Sequence, residues 1–232
     1  MNSELGLVFD DLVCGYGDTM VVRGVSGRGD AGRVLGVVGR NGVGKSTLLK
    51  ALAGFLPVSR GHVRWQGRDL GHVPAHARLA AGIAYAPQEN VVFGELSVGE
   101  NLWLHLPDRR AQRYADALAA FPVLRERVQQ RAGLLSGGER KLLSFTRTLG
   151  LEARLALLDE PTEGVQPENI DRMARLVMAA KAAGRGFVIV EQNLGFVEQV
   201  ADDVIVLDHG ECVLAGRLAE VGRERIERHL AV

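Results

Sequence analysis

The stretch Gly39-Arg40-Asn41-Gly42-Val43-Gly44-Lys45-Ser46-Thr47 follows directly on the apolar run Val34-Leu35-Gly36-Val37-Val38. Its spacing is G-x-x-x-x-G-K-[ST], a strand feeding a glycine-rich turn that opens a helix. Lacking Cβ atoms, Gly39, Gly42 and Gly44 let the backbone adopt positive φ and turn its N–H groups around an anion. The helix beginning near Lys45 points its positive end at the same place. Lys45 supplies a mobile ammonium for the β- and γ-phosphates of a nucleotide, the Ser46 hydroxyl is placed to ligate Mg²⁺, and Asn41 and Thr47 belong to the same binding loop. A turn that merely caps a helix is the bland alternative. The strand before it and the helix after it favour a phosphate loop.

Working outward, 232 residues suffice for one large α/β domain, or for a core domain with an inserted subdomain. Hydrophobic residues make up 47% of the chain, enough for a substantial core. Lys plus Arg and Asp plus Glu balance at 28 each, so net charge points neither to nucleic acid nor to an acidic lipid surface. Only 4 of the 28 basic residues are Lys, which makes Lys45 conspicuous. Cys14 and Cys212 lie far apart without metal-ligand or redox spacing, as packing residues in a reducing compartment would. No apolar run approaches the ~18 residues of a membrane span, and the N-terminus lacks the basic-then-apolar pattern of a secretory signal. The expectation is a cytoplasmic protein that meets a membrane only through a partner.

Short alternating segments at Leu5 to Phe9, Val21 to Val25 and Val34 to Val38 predict an antiparallel sheet leading into the phosphate-loop strand. Thr47 to Phe55 reads as the first helix, ending near Gly54, and strands follow at His62 to Trp65 and Ile83 to Tyr85. From 97 to 149 helical periodicity dominates, an inserted helical subdomain opened by a capping box at Ser97-Val98-Gly99-Glu100. Strand Leu155 to Leu158, helix Pro167 to Ala183 and strand Phe187 to Val190 then alternate, which predicts a parallel sheet with crossover helices. The tail Leu218 to Leu230 reads as one charged, weakly amphipathic helix.

Two further stretches carry chemistry. Leu155-Ala156-Leu157-Leu158-Asp159-Glu160 is a buried strand ending in two carboxylates, at the sheet edge where ligands gather. Side chains alternate faces along a strand, so Asp159 and Glu160 can serve one site only if the backbone bends after the strand. On that condition Asp159 belongs to the Mg²⁺ shell and Glu160 orients and polarises the attacking water. In Leu135-Ser136-Gly137-Gly138-Glu139, Ser136 can cap the following helix with Glu139 at the capping-box position. Capping does not explain the two glycines, which offer bare N–H groups at a helix N-terminus, a second anion site. Two chains paired so that each offers its Ser136 loop to the other's nucleotide would use both sites.

In this order and spacing the phosphate loop, Leu-Ser-Gly-Gly-Glu and Leu-Leu-Asp-Glu-Pro make the whole chain resemble the ATP-binding subunits of ABC transporters. The resemblance implies a single cassette. Its P-loop NTPase core (1–96 and 150–232) would have a parallel sheet and an N-terminal antiparallel β subdomain, and 97–149 would be the helical insertion. It implies ATP hydrolysis with Mg²⁺, Tyr16 stacking on adenine, and Gln88 joining the Mg²⁺ site to the helical subdomain. Ser136, Gly137 and Gly138 would face the partner cassette's nucleotide, and Glu163-Gly164 would begin a loop crossing the dimer interface. Implied partners are membrane-spanning permease subunits, a second ATPase subunit of the same or a paralogous chain and, indirectly, a periplasmic substrate-binding protein. Localisation would be peripheral, on the inner face of the membrane.

One departure narrows the branch. Most of the family has histidine where this chain reads Gln192 in Val190-Glu191-Gln192-Asn193. With Asp-Glu-Pro-Thr-Glu-Gly-Val-Gln-Pro upstream, that string resembles the second ATPase of importers for branched-chain amino acids and their relatives for urea and short amides. Gln192 thus joins Glu160 and Lys45 as a catalytic candidate. Soluble ABC-type ATPases acting on DNA or ribosomes generally carry long coiled-coil insertions or two fused cassettes, both missing here. The apolar triplet Val91-Val92-Phe93 is the candidate docking point for a membrane partner.

Overall fold

The computed structural model describes residues 6–89, 91–104, 106 and 111–230. Leu5, and residues 105 and 107–110 of the expected helical insertion, lie outside the described residues. The strands are β1 Leu7–Tyr16, β2 Thr19–Gly29, β3 Val34–Gly39, β4 Val58–Trp65, β5 Arg68–Asp69, β6 Ile83–Ala86, β7 Leu155–Asp159, β8 Gly186–Glu191, β9 Asp203–Asp208 and β10 Glu211–Arg217. The α-helices are α1 Lys45–Leu52, α2 Ala75–Arg78, α3 Val98–Trp103, α4 Ala115–Ala120, α5 Pro122–Glu126, α6 Gly137–Gly150, α7 Pro167–Ala182, α8 Leu194–Val200, α9 Leu218–Val221 and α10 Arg223–Leu230.

One sheet is antiparallel with order β2-β1-β4-β5; the other has order β10-β9-β3-β8-β7-β6, parallel from β9 to β6. β3, β7 and β8 are buried along their whole length. That is why they read as unbroken apolar runs: crossover helices and the second sheet cover both faces. Alternate residues of β3 feed different clusters. Leu35 and Val37 pack with α1 and the antiparallel sheet, whereas Val34 joins Leu158, Phe187 and the α6 residue Phe145 on the other face.

The structure corrects the sequence reading in four places. Only the first two early segments, β1 and β2, pair antiparallel; β3 leaves them to run parallel between β8 and β9. α1 ends at Leu52, before Gly54, whose φ of 80° and N–H bond to the Ala51 carbonyl terminate it. The tail is two short helices, because Gly222 takes φ 73° between α9 and α10. The hairpin β9-β10 forms in a region where no strand was expected. Between β6 and β7 all described α-helices are short except the 14-residue α6. The cluster that packs them includes Ala156, Leu158 and Ile189 of the parallel sheet. Both expected capping boxes are present, at Ser97 with Glu100 and at Ser136 with Glu139.

Candidate functional site

Because β3, β8 and β7 are neighbours in that order, their carboxyl ends deliver three segments to one edge. These are the phosphate loop after β3, Gln192 and Asn193 after β8, and Asp159 with Glu160 at the end of β7. Gly42 and Gly44 take φ of 79° and 106°, turning the loop as expected. Gly39 does not: it is glycine because a Cβ would stand 2.5 Å from the Leu207 carbonyl of β9. Lys45 is 4% exposed, and its Nζ donates to the carbonyls of Gly39 and Arg40, both at 2.9 Å. The ammonium is therefore held inside the loop, with Glu160 Oε1 3.5 Å away.

A cleft of 350 Å³ opens here, lined by Asn41, Gly42, Gly44, Lys45, Ser46 and Thr47 on one side, Gln88, Glu160 and Glu163 on the other, and Val21 from β2. Asp159 is buried and accepts from Ser46 Oγ at 2.8 Å and from the Tyr85 hydroxyl at 3.4 Å. Burial raises its pKa, more than the Ser46 hydrogen bond lowers it. The Lys50 ammonium offsets that burial only in part, so the buried carboxylate favours a further cation beside it. The donors at hand, Ser46 Oγ, the Asp159 carboxylate and the Gln88 side-chain carbonyl, are all oxygens, the set Mg²⁺ prefers.

The strand-alternation problem is solved at Glu160, which takes φ 45°. The left-handed turn swings its side chain back to the cleft that Asp159 serves. Its N–H donates to the Val190 carbonyl at 2.9 Å, tying the turn to β8. Oε1 accepts from Gln192 Nε2 at 3.0 Å, and Oε2 from Gln88 Nε2 at 2.8 Å. A carboxylate 5% exposed and held from three sides beside a phosphate loop can align a water and take its proton.

Ser136, Gly137 and Gly138 do not line this cleft. They line a second one of 560 Å³, and Glu163 borders both. The two glycines differ: a Cβ on Gly138 would stand 2.5 Å from the Gly164 carbonyl, whereas one on Gly137 would meet nothing. Tyr16 stands 49% exposed at the end of β1, outside the cleft lining.

Sequence reasoning missed several residues here. Lys141 Nζ donates to the Glu160 carbonyl at 3.1 Å and lies 3.4 Å from Glu163 Oε2, joining the two clefts. Glu191, 2% exposed, accepts from the Thr162 N–H and hydroxyl and from the N–H groups of Gln192 and Asn193. Burial pushes its carboxyl up, and those hydrogen bonds pull it partly back. The sign of Glu191 in the sequence is the one that exposed Asp159: an apolar strand ending in a carboxylate.

Residues 22–163 match the family model described as ABC transporter. The chain is 34% identical over 212 residues to the high-affinity branched-chain amino acid transport ATP-binding protein BraG of Pseudomonas aeruginosa, covering 90% of this chain and 91% of that one. It is 36% identical over 189 residues to the probable branched-chain amino acid transport ATP-binding protein LivF of Archaeoglobus fulgidus, covering 78% and 79%. It is also 32% identical over 225 residues to the lipopolysaccharide export system ATP-binding protein LptB of Acidithiobacillus ferridurans, covering 94% and 92%. Among solved structures, a nucleotide-free ATP-binding cassette from an ABC transporter superposes with a TM-score of 0.78 at 27% identity, covering 96% of this chain and 93% of that one.

Proposed function

Because the chain belongs to the ABC transporter family, whose cassettes bind and hydrolyse ATP, we propose that it is the ATPase subunit of an importer for branched-chain amino acids. The observation that carries the hydrolytic part is the convergence of Lys45, Glu160 and Gln192 on one cleft beside the Ser46–Asp159 pair. Lys45, Asn41, Thr47 and the amides of the Gly39 to Gly44 loop hold the phosphates, and Tyr16 stacks on the adenine. Ser46, Asp159 and Gln88 would hold Mg²⁺, which when bound neutralises charge on the phosphate oxygens. Glu160 orients the attacking water and accepts its proton. Gln192 and Gln88 hold that carboxylate in place.

Gly137 is bare at the N-terminus of α6, so Ser136, Gly137 and Gly138 are suited to complete the nucleotide site of a second cassette, a copy or a paralogue. Residues 97–149 act as the helical arm that carries this loop, and 1–96 with 150–232 form the nucleotide-binding core. Among the described residues no helix is long and apolar enough to cross a membrane. We place the subunit on the cytoplasmic face, attached to permease subunits served by a periplasmic substrate-binding protein, with no role for nucleic acid. The amino-acid substrate rests on the BraG and LivF similarities; the Gln192 string suits urea and short-amide importers equally, and the LptB similarity favours export as the second reading.

Glu160→Gln is expected to keep ATP binding and slow turnover by the ~10²–10⁴ typical of lost general-base assistance, whereas Lys45→Ala weakens binding itself. With ATP, the Glu160→Gln protein should sediment as a dimer, and Ser136→Arg should abolish the shift. Near-normal turnover in Glu160→Gln removes it from the chemistry. Uptake of labelled leucine by vesicles holding the subunit with its genomically neighbouring permease tests the substrate. Uptake of urea instead, or of neither, moves the assignment to the amide or the export reading.

A further inference from the structure

Glu191 ends β8, between β3 and β7, and its carboxylate divides its bonds between the loop after β7 and the loop after β8 itself. Oε1 accepts from Thr162 N at 2.9 Å and Thr162 Oγ1 at 2.7 Å, in the turn that begins at Glu160. Oε2 accepts from the N–H groups of Gln192 at 3.1 Å and Asn193 at 3.2 Å. A carboxylate 2% exposed is expensive to bury, and here no cation compensates it within the hydrogen bonds it makes. All of its four donors belong to loop backbone or the Thr162 hydroxyl. Satisfying one loop would take a single oxygen. A carboxylate with both oxygens occupied fixes the separation of the two loops, and the contact across that separation is the 3.0 Å bond from Gln192 Nε2 to Glu160 Oε1.

We propose that Glu191 is a positioning residue for hydrolysis: by clamping Thr162 to Gln192 and Asn193, it sets the direction in which the Glu160 carboxylate faces the cleft. The proposal rests on the reading of Glu160 as the group that orients the water. Glutamine cannot replace Glu191, although its shape is the same. It offers one acceptor oxygen, so its NH₂ must face main-chain N–H donors on one of the two loops. The phosphate loop makes none of these bonds, so nucleotide binding should be untouched.

The test is single-turnover ATP hydrolysis with ATP affinity measured separately, in the wild-type and Glu160→Gln backgrounds. Glu191→Gln is expected to slow hydrolysis by about tenfold or more while ATP affinity stays within about twofold. In the Glu160→Gln background it should add no slowing beyond about twofold, because the group it positions has already gone. Thr162→Val, which keeps the backbone bonds and removes only the hydroxyl, should show a smaller loss with the same dependence on Glu160. Equal slowing in both backgrounds, a loss of affinity in step with the rate, or an unchanged rate overturns the proposal. If Glu191→Gln does not fold, Thr162→Val is judged by the same criteria. Near-normal turnover in Glu160→Gln alone would instead overturn the base assignment, and the proposal with it.

Discussion

Gln192 touches Glu160 with a neutral amide that does not titrate near neutral pH, where a histidine could carry a full charge. If Gln192 also meets the γ-phosphate, it does so with a neutral donor and without the full charge an imidazolium would add. On that reading Lys45 and the loop amides would do most of the positioning. Gln192→Ala should lower turnover by about ten- to a hundredfold, the ~1.5–3 kcal/mol scale of one hydrogen bond to a charged group, and Gln192→His should be tolerated while adding a pH dependence between about 6 and 7. A loss of several orders of magnitude with the fold intact would show that the amide takes part in the chemistry. Asp202 titrates with a different consequence. Burial pushes it up, but the Lys181 ammonium at 2.7 Å, the Val34 N–H at 2.8 Å and nearby Arg33 outweigh burial and hold it below its ordinary 3.8. A carboxylate with a depressed folded pKa adds stability above its unfolded pKa and loses it as pH falls through the folded value. Asp202→Asn should therefore lower the melting temperature at pH 7 by ~2–4 °C, after discounting its partial exposure. That gap should close below about pH 4; a constant gap from pH 7 to pH 3 would show that charge is not involved.

α6 begins on two glycines that the sequence presents as equivalent and the fold does not. Gly138 is pinned by the Gly164 carbonyl, so Gly138→Ala should push the Glu163–Gly164 loop away and lower the melting temperature. Gly137→Ala meets open space and should hold or raise stability by up to ~1 kcal/mol through helix propensity. If Gly137 faces a partner's nucleotide, the same change should weaken ATP-driven pairing of the Glu160→Gln protein. Thermal melting and sedimentation separate the two effects, and equal destabilisation by both variants would contradict this division. The glycine pair also shows what a sequence can carry. β3, β7 and β8 were legible because burial on both faces makes them continuous apolar runs, and both capping boxes because their partners lie three residues apart. The reason for Gly138 lies 26 residues away in a tertiary contact, and the left-handed turn at Glu160 depends on its bond to Val190. β10 escaped because its side chains are mostly exposed and give no alternation, and the break in the tail because Gly222 acts through its φ.

At the scale of the molecule, the parallel sheet gathers the chemistry at one edge, while α6 spans from the second cleft to a third on another side. That third cleft, of 470 Å³, is lined by Phe55, Tyr85, Leu79, Arg78 and the α6 residues Arg147 and Thr148. The segment between β6 and α3 runs beside it. The triplet Val91-Val92-Phe93 is divided by this placement: Val91 is buried, Val92 packs partly against the core, and Phe93 is 53% exposed with the Arg147 guanidinium 5.9 Å from its ring. Phe55, 60% exposed and 5.3 Å from the Tyr85 ring, adds apolar surface to the same side. Exposed aromatic rings around a cleft are suited to receive a partner helix, and this segment leads back to Gln88 and so to Glu160. Phe93 is about half exposed and its replacement by Asp sets a carboxylate on the side where Arg147 now meets the ring, so the free subunit's melting temperature should change by less than ~2 °C. Stimulation of ATPase activity by the membrane subunits should nevertheless be lost, while basal hydrolysis stays within about twofold because no cleft residue has been touched. A fall of ~5 °C or more in the free subunit would mean that Phe93 supports the fold, and undiminished stimulation would move the docking surface elsewhere.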